Sequence, residues 1–369
     1  MKPTFFTFLF LLGTSTLFAV QPLLSIKELN SPPPRIIRTC CSFGAEVKLM
    51  GLPGLKITEI IGVDALGKHK FLGDKKKREG NGIIYTRNGG FIDMGHLRDQ
   101  ADWTAYLYNL IISNKGENID KVLGHEGGLK TLMVAVPENI SEADARQLAG
   151  KIAYDLSVWH EIATWYGASS IPFVPERFSS FSVEDAYSNL LGVTLGIKAI
   201  ESDLPYEVAM TQLIIQTLAE LEAIQTEAGS IMAMEAVRDI WWTREKKLPS
   251  RKILLKRQLN VYPSIEPLLI DNWGDNAPAD FKVMVPQLSQ KGEFLSNYYE
   301  LSFKLNQKVP FRKLFPTRKK RQITQADFPF LIKAIEKEIY LGEMKDLAVL
   351  ERKLAKIERK RDKESQKLR

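Results

Sequence analysis

From Met94 to Ile112 apolar residues fall at nearly every angle of a helical wheel, the pattern of a helix buried on all sides. The run SEADARQLAGKIAYDLSVWHEIATWYG opens on Ser141 with Asp144 three residues later, close to a capping box, and stops at Gly167. SVEDAYSNLLGVTLG repeats that start signal with Ser182 and Asp185. LPYEVAMTQLIIQTLAELEAI follows, with Pro205 suited to a first helical position, and SIMAMEAVRDIWW adds another helix. Ahead of these helices the texture differs. Residues 35 to 91 carry many glycines and short β-type runs, EVKLM, ITEIIGV and GIIYT, which predict strands and turns. TLMVAVP is a short buried-strand candidate.

Beyond the helices, eight prolines fall between Pro249 and Pro329. Within that stretch YELSFKLN alternates so that Leu301, Phe303 and Leu305 share one face, a half-buried strand. The last forty residues predict a charged helix with Leu347, Leu350, Leu354 and Ile357 on one stripe, too short a seam for a coiled coil. The expected architecture is mainly α with a small β component (α+β): a helical core, N-terminal short strands and a charged C-terminal helix. The expected boundaries are a signal peptide (1–19), a proline-rich lead-in (20–34) and a main helical domain with N-terminal strands (35–248). A proline-rich wrapping region with a small sheet (249–329) and a basic amphipathic helix (330–369) complete the chain.

The N-terminus changes the setting. Lys2 precedes an apolar run from Phe5 to Phe18, and small Ala19 stands before VQP, the order of a secretory signal peptide. The run is shorter than the roughly 20 residues of a membrane span; an anchor or a buried first helix is the alternative. No lipobox cysteine follows, and no later run is apolar enough to span a bilayer. A periplasmic or secreted protein, without a transmembrane span in the mature chain, is therefore expected. Composition is ordinary for a globular chain, 44% hydrophobic and 26% charged. The net charge of +7 is uneven, since residues 345–369 hold ten Lys/Arg against five Asp/Glu. Further basic knots occur at Lys75–Arg78 and Arg318–Arg321. No aromatic-interleaved binding motif accompanies them, so no nucleic-acid partner is expected. A solvated helical face is the preferred reading of the tail, and contact with an anionic envelope surface is the partner it suggests. Cys40 and Cys41 are adjacent, so no disulfide framework is expected; a strained vicinal disulfide, an intermolecular bridge or two buried thiols are open, and buried thiols are the plainest reading.

The candidate chemistry lies in GGFIDMGHLRDQADW. On a helix His96, Asp99 and Asp102 fall within an arc of about 120°, beside Trp103 and Tyr106. A buried carboxylate needs an arginine, a hydrogen-bond network or a metal, and neighbouring Arg98 points elsewhere. Glu161 sits on a stripe with Tyr154, Val158 and Trp165, while Asp185 and Asn189 are one turn apart. Asp185 also has a plainer use, at the third position of a helix beginning at Ser182. Three helices bringing acids to apolar surfaces can enclose a polar pocket. His96, Asp99, Glu161 and Asp185 would then hold a divalent metal such as zinc, with Asp102 or Glu161 as catalytic carboxylate, the donor set of a metal-assisted hydrolase. None of these spacings is a known ligand motif. His160 reads as a surface or satisfied histidine, and His69 and His125 as loop residues. A second catalytic reading makes Cys40 or Cys41 a nucleophile with His96 as base and Asp99 as orienter, although TCCSFG lacks a helix start to lower the thiol pKa. DNWGDNAPAD lacks the register and closing glutamate of a calcium loop, and no phosphate loop is present.

The segments GGFIDMGHLRDQADWTAYLY, EIATWYG and FSVEDAYSNLLG, with CCSFG, resemble an uncharacterised bacterial exported-protein family, domain of unknown function 4056. The resemblance runs from about Pro34 to about Pro316. It implies an exported protein of this size and brings no activity, cofactor or ligating residue. The competing class to a hydrolase is a non-catalytic envelope or interaction protein whose acids tie helices together.

Overall fold

A computed structural model of the chain describes residues 24–38, 43–44, 59–74, 76, 78–169, 176–245, 250–271, 273 and 281–367. The N-terminal apolar segment, Cys40, Cys41, EVKLM and most of DNWGDNAPAD lie outside the described residues. The described chain is a helix-rich α+β fold. It begins with a short helix, α1 (Ile26–Leu29), capped by Ser25. The lead-in then lies along a later helix, because Tyr106 donates to Leu29 O (2.8 Å) and Trp103 Nε1 donates to Pro34 O (3.2 Å).

Strands β1 (Ile83–Thr86) and β2 (Gly90–Asp93) form an antiparallel hairpin. β2 runs without a loop into α2 (Met94–Ile112), in which only Asn109 and Ile112 escape full burial. A second hairpin follows, β3 (Asn118–His125) and β4 (Gly128–Ala135), and then α3 (Glu142–Trp165), capped by Ser141 as its spacing predicts. Helix α4 (Asp185–Glu201) starts two residues later than its Ser182–Asp185 spacing suggests. Phe181 stands at φ +55°, a left-handed turn that delays the helix, and Ser182 donates to Glu184 Oε2 (2.5 Å) instead of capping.

Helices α5 (Tyr206–Glu220) and α6 (Glu227–Ala236) complete the helical part, and β5 (Ser264–Ile265) pairs with β6 (Val283–Met284). Then come β7 (Tyr299–Leu305), α7 (Phe311–Leu314), β8 (Gln322–Thr324) and α8 (Phe328–Lys367). β7 joins the second hairpin, giving a four-stranded antiparallel sheet in the order β3-β4-β7-β8. The largest sheet thus combines β3 and β4 with strands from the proline-rich stretch. Of the N-terminal runs, GIIYT supplies β1, while ITEIIGV contributes an isolated bridge, Ile60 to Ile83, among its described residues. Trp159 of α3 fastens the sheet to the helices, its ring 4.2 Å from Phe303 and stacked on Phe328. Among the described residues no helix is long and apolar enough to cross a membrane.

Helices α2, α3 and α4 pack on one another. A Cβ at Gly192 of α4 would lie 2.0 Å from the Leu97 carbonyl oxygen, and one at Gly196 2.9 Å from Ala101 Cα, so two glycines four residues apart let the helix backbones touch. Gly192→Ala must push α2 and α4 apart. It is expected to cost roughly 3 kcal/mol, the upper range for overpacking, read as a lower urea midpoint. Gly342→Ala, in open space on α8, is the control and should gain up to ~1 kcal/mol from helix propensity.

Candidate metal centre and adjoining cleft

Asp93 ends β2 and caps α2: its Oδ1 accepts from the His96 amide at 2.9 Å. The strand register, Ile83 opposite Asp93, and a bond from the Asp93 amide to Ser188 Oγ (2.9 Å) fix where that carboxylate stands. His96, one turn into α2, lies against Asp185 at the start of α4, with Nδ1 to Oδ1 at 3.6 Å. Asp93, His96 and Asp185 each offer a ligand atom, all within 4.8 Å of one another, and all three residues are buried. Ligands about 2.0–2.2 Å from a tetrahedral zinc-sized ion stand about 3.3–3.6 Å apart, so coordination would require the widest pair to close by up to about 1.5 Å. One imidazole with carboxylates is a donor set for a divalent transition ion.

Two further acids, Glu161 and Glu184, stand close enough to act on this trio. Glu161 Oε2 accepts from the Phe181 amide at 2.5 Å, whereas Glu161 Oε1, Glu184 Oε1 and Asp185 Oδ1 are buried with no hydrogen-bond donor among the described residues. Burial, then the charges of Glu184, Glu161 and Asp93, push the Asp185 carboxyl well above the ordinary range. Burial raises Glu161 too, and lifts Glu184 to about 8. His96 is driven well below its usual value, by burial first and then by Arg35 and His160, which keeps its ring neutral and able to ligate. A carboxyl raised on folding stabilises the fold below its unfolded value, and that contribution is lost as pH climbs through the folded value. The carboxyls' contribution to the metal-free protein should therefore fall away between about pH 4.5 and 8, the ordinary and folded values of Glu184, while depressed His96 opposes it only up to its ordinary value of 6.5. The Tm of that protein by circular dichroism should be higher at pH 5 than at pH 8; the reverse order would contradict this electrostatic picture.

Next to the trio, the His160 ring of α3 lies edge-on to His96, centroids 6.3 Å apart. Its Nδ1 is 2.6 Å from Glu126 Oε1, and Lys130 Nζ holds the other oxygen of that carboxylate at 2.8 Å. Burial alone would raise Glu126, but Lys130, His160 and Arg35 outweigh it and hold the carboxyl far below its usual range. The turn carrying Glu126 is pinned to α3, where Trp159 Nε1 donates to Glu126 O (2.9 Å) and Gly127, at φ +64°, rests against Ala163. Glu126 and His160 line a cleft of about 430 Å³, together with Arg35, Thr164, His125 and Lys308.

Two residues expected in this site stand elsewhere. Asp99 turns to the lead-in and accepts from the Ile37 amide (2.8 Å) and Arg38 Nη1 (3.1 Å); burial, offset by Arg38, leaves its carboxyl raised to about 6. Asp102 accepts from Arg38 Nη1 (2.9 Å), the Leu72 amide (2.9 Å) and Tyr206 (3.1 Å), and pairs with His69 Nε2 at 3.0 Å. Against the effect of burial, His69 and Arg38 hold it below its ordinary value. Arg38 and Arg98 also pair with Glu79, at 2.8 Å and 3.2 Å. His69 lies on a loop, as expected, and is buried in this network. His160 is buried and paired, and Cys40 and Cys41 lie outside the described residues. His96, Glu161 and Asp185 meet at the packed helices. Asp93, Glu184, Glu126 and Arg38 were not read from the sequence. An Asp three residues before His96, at a strand–helix junction, is an N-cap signal that could have pointed to Asp93; Arg38 has no local signal.

No curated protein and no solved structure matches the chain. A family described as "Protein of unknown function (DUF4056)" matches residues 28–271, about two thirds of the sequence, and that span includes Asp93, His96, Glu126, His160, Glu161, Glu184 and Asp185. The chain with this acidic centre belongs to the DUF4056 family.

Proposed function

We propose that this chain is a metal-assisted hydrolase whose ion is held by Asp93, His96 and Asp185. The observation that carries the reading is the convergence of those three buried ligand atoms within 4.8 Å, amid carboxylate oxygens that lack donors. A divalent ion would supply charge compensation for the acids and lower the pKa of a bound water. Asp93 and Asp185 would hold the ion from the end of β2 and the start of α4, and neutral His96 would give the nitrogen donor. Glu184, with its pKa near 8 and one oxygen undonated, suits a general base at neutral pH, and Glu161 stands as the alternative base. Asp102 takes no part in this chemistry, since both its oxygens are already engaged.

The test is thermal unfolding of metal-stripped protein offered zinc or manganese. A ligand at a hundred times its Kd adds about 2.7 kcal/mol, so a clear rise in Tm is expected for one of the two ions. No rise with either would remove the metal reading. The setting we propose is outside the cytoplasm, on the Lys2–Ala19 pattern; intact-mass analysis of the native protein should show a chain beginning after Ala19, and a retained leader would contradict this. A second reading, contact with an anionic lipid surface, is favoured by α8. Leu347, Leu354 and Ile357 are exposed along a helix in which basic residues outnumber acidic ones. Sedimentation with phosphatidylglycerol vesicles, but not phosphatidylcholine vesicles, is the expected result; equal sedimentation or none would dismiss it.

A further inference from the structure

We propose that the cleft beside the metal group is a carboxylate subsite, with Arg35 as its fork and Thr164 as a second donor. Its role in substrate binding rests on the hydrolase reading above, but its occupancy does not.

The Arg35 side chain is only 10% exposed, and its Nε and Nη2 have no hydrogen-bond partner among the described residues. Those two nitrogens form one edge of the guanidinium, the edge that takes both oxygens of a carboxylate in parallel bonds. The nearest carboxylate, Glu126, stands 3.9 Å from Nε, beyond bonding distance. It is already engaged by Lys130 Nζ and His160 Nδ1. A buried guanidinium with an idle edge is costly unless a ligand completes it.

The same cleft wall holds Thr164, whose buried hydroxyl has no partner among the described residues. Lys308 adds positive charge at the rim, with its Nζ resting on Gly167 O at 2.8 Å. Two acids line the cleft: Glu126, whose charge Lys130 offsets, and Glu176, set against the cations Arg35 and Lys308. The space of about 430 Å³ suits a small ligand or one end of a larger one.

Arg35 also lies within electrostatic reach of Glu161 and Asp185. A cation on those acids would free more of the Arg35 charge, so a metal should tighten carboxylate binding without being required for it. A carboxylate on Arg35 would thus anchor a molecule whose next bonds lie beside His160 and the metal group. The substrate class this implies is a carboxylate-bearing amide or ester, such as the free C-terminal end of a peptide.

The experiment is titration calorimetry of metal-stripped protein, in chelator, with N-acetylalanine and with its uncharged amide, up to tens of millimolar. The acid is expected to bind at least tenfold more tightly than the amide. Arg35→Gln should remove that preference, Arg35→Lys should weaken acid binding about tenfold by losing the fork, and Thr164→Val should weaken it severalfold. Should Arg35→Gln fail to fold, the other two variants carry the test. Equal binding of acid and amide, no binding of either, or acid binding untouched by these variants would overturn the proposal. Tenfold tighter binding of inorganic phosphate would overturn the carboxylate assignment. Asp185→Asn separates the two readings: it should lose metal and keep the N-acetylalanine signal, so either reading can fail alone.

Discussion

Arg38→Ala is expected to cost roughly 3–5 kcal/mol, the range for removing one partner of a buried ion pair, a large share of the 5–15 kcal/mol that holds a typical fold. The guanidinium bonds Glu79 through Nε (2.8 Å) and Nη2 (3.0 Å), Asp99 and Asp102 through Nη1, and Lys70 O through Nη2 (2.7 Å). Its removal leaves three buried carboxylates with Arg98, His69 and neutral donors such as Tyr206 and the Leu72 and Lys70 amides. It also unfastens the lead-in from α2, since Asp99 receives the Ile37 and Arg38 amides only while the segment stays docked. The deficit should shrink toward pH 5. Asp99 already titrates near 6, and a protonated carboxyl no longer needs the missing cation. Urea unfolding of wild type and variant at pH 5 and 8 checks both statements. A loss below ~1 kcal/mol at pH 8, the size of an exposed pair, would show that this network is not what holds the N-terminal segment.

Asp185→Asn is expected to act in two opposed directions. Metal affinity should fall more than a hundredfold, beyond the 10–100-fold typical of residues that merely support a ligand. The metal-free protein should meanwhile become more stable at pH 8, where burial and the charges of Glu184, Glu161 and Asp93 make the wild-type carboxylate unfavourable. A residue kept only to tie helices together would show the opposite: a less stable variant and no change in metal content. Asp93→Asn offers a parallel case, because Asn is as good an N-cap as Asp. The helix start at His96 should survive while the ligand oxygen's charge is lost.

How far the sequence speaks for itself depends on the kind of signal. Helices α2 and α3 are legible because their apolar surface is continuous and, for α3, because Ser141 marks its start. Strand β3 is not. One of its faces is open to solvent and carries Asn118 and Asp120, while half-buried Lys121 interrupts the other face between Ile119 and Leu123, so the apolar pattern breaks and reads as loop. The start of α4 misleads for a local reason: Ser182 and Asp185 have cap spacing, but Phe181 turns the chain and frees Asp185 to face His96.

The same contrast governs the site. Periodicity shows that His96, Glu161 and Asp185 lie on packed helical surfaces. It does not show which acid of a stripe looks at which neighbour. Asp99 and Asp102 share an arc with His96, yet Arg38, more than sixty residues upstream, claims both. Asp93 and Glu126 sit at a strand end and in a tight turn, where side-chain direction follows from hydrogen bonds across the fold.

The measurement that bears most directly on the metal centre is the metal-to-protein ratio, by elemental mass spectrometry, after reconstitution and dialysis. Wild type, His96→Ala and Asp185→Asn would be compared at matched helicity. Close to one transition ion per chain in the wild type, and far below one in both variants, is the predicted result. A wild type that retains no ion, or variants that retain as much as the wild type, would contradict it and leave Asp93, His96 and Asp185 as a buried network of the fold.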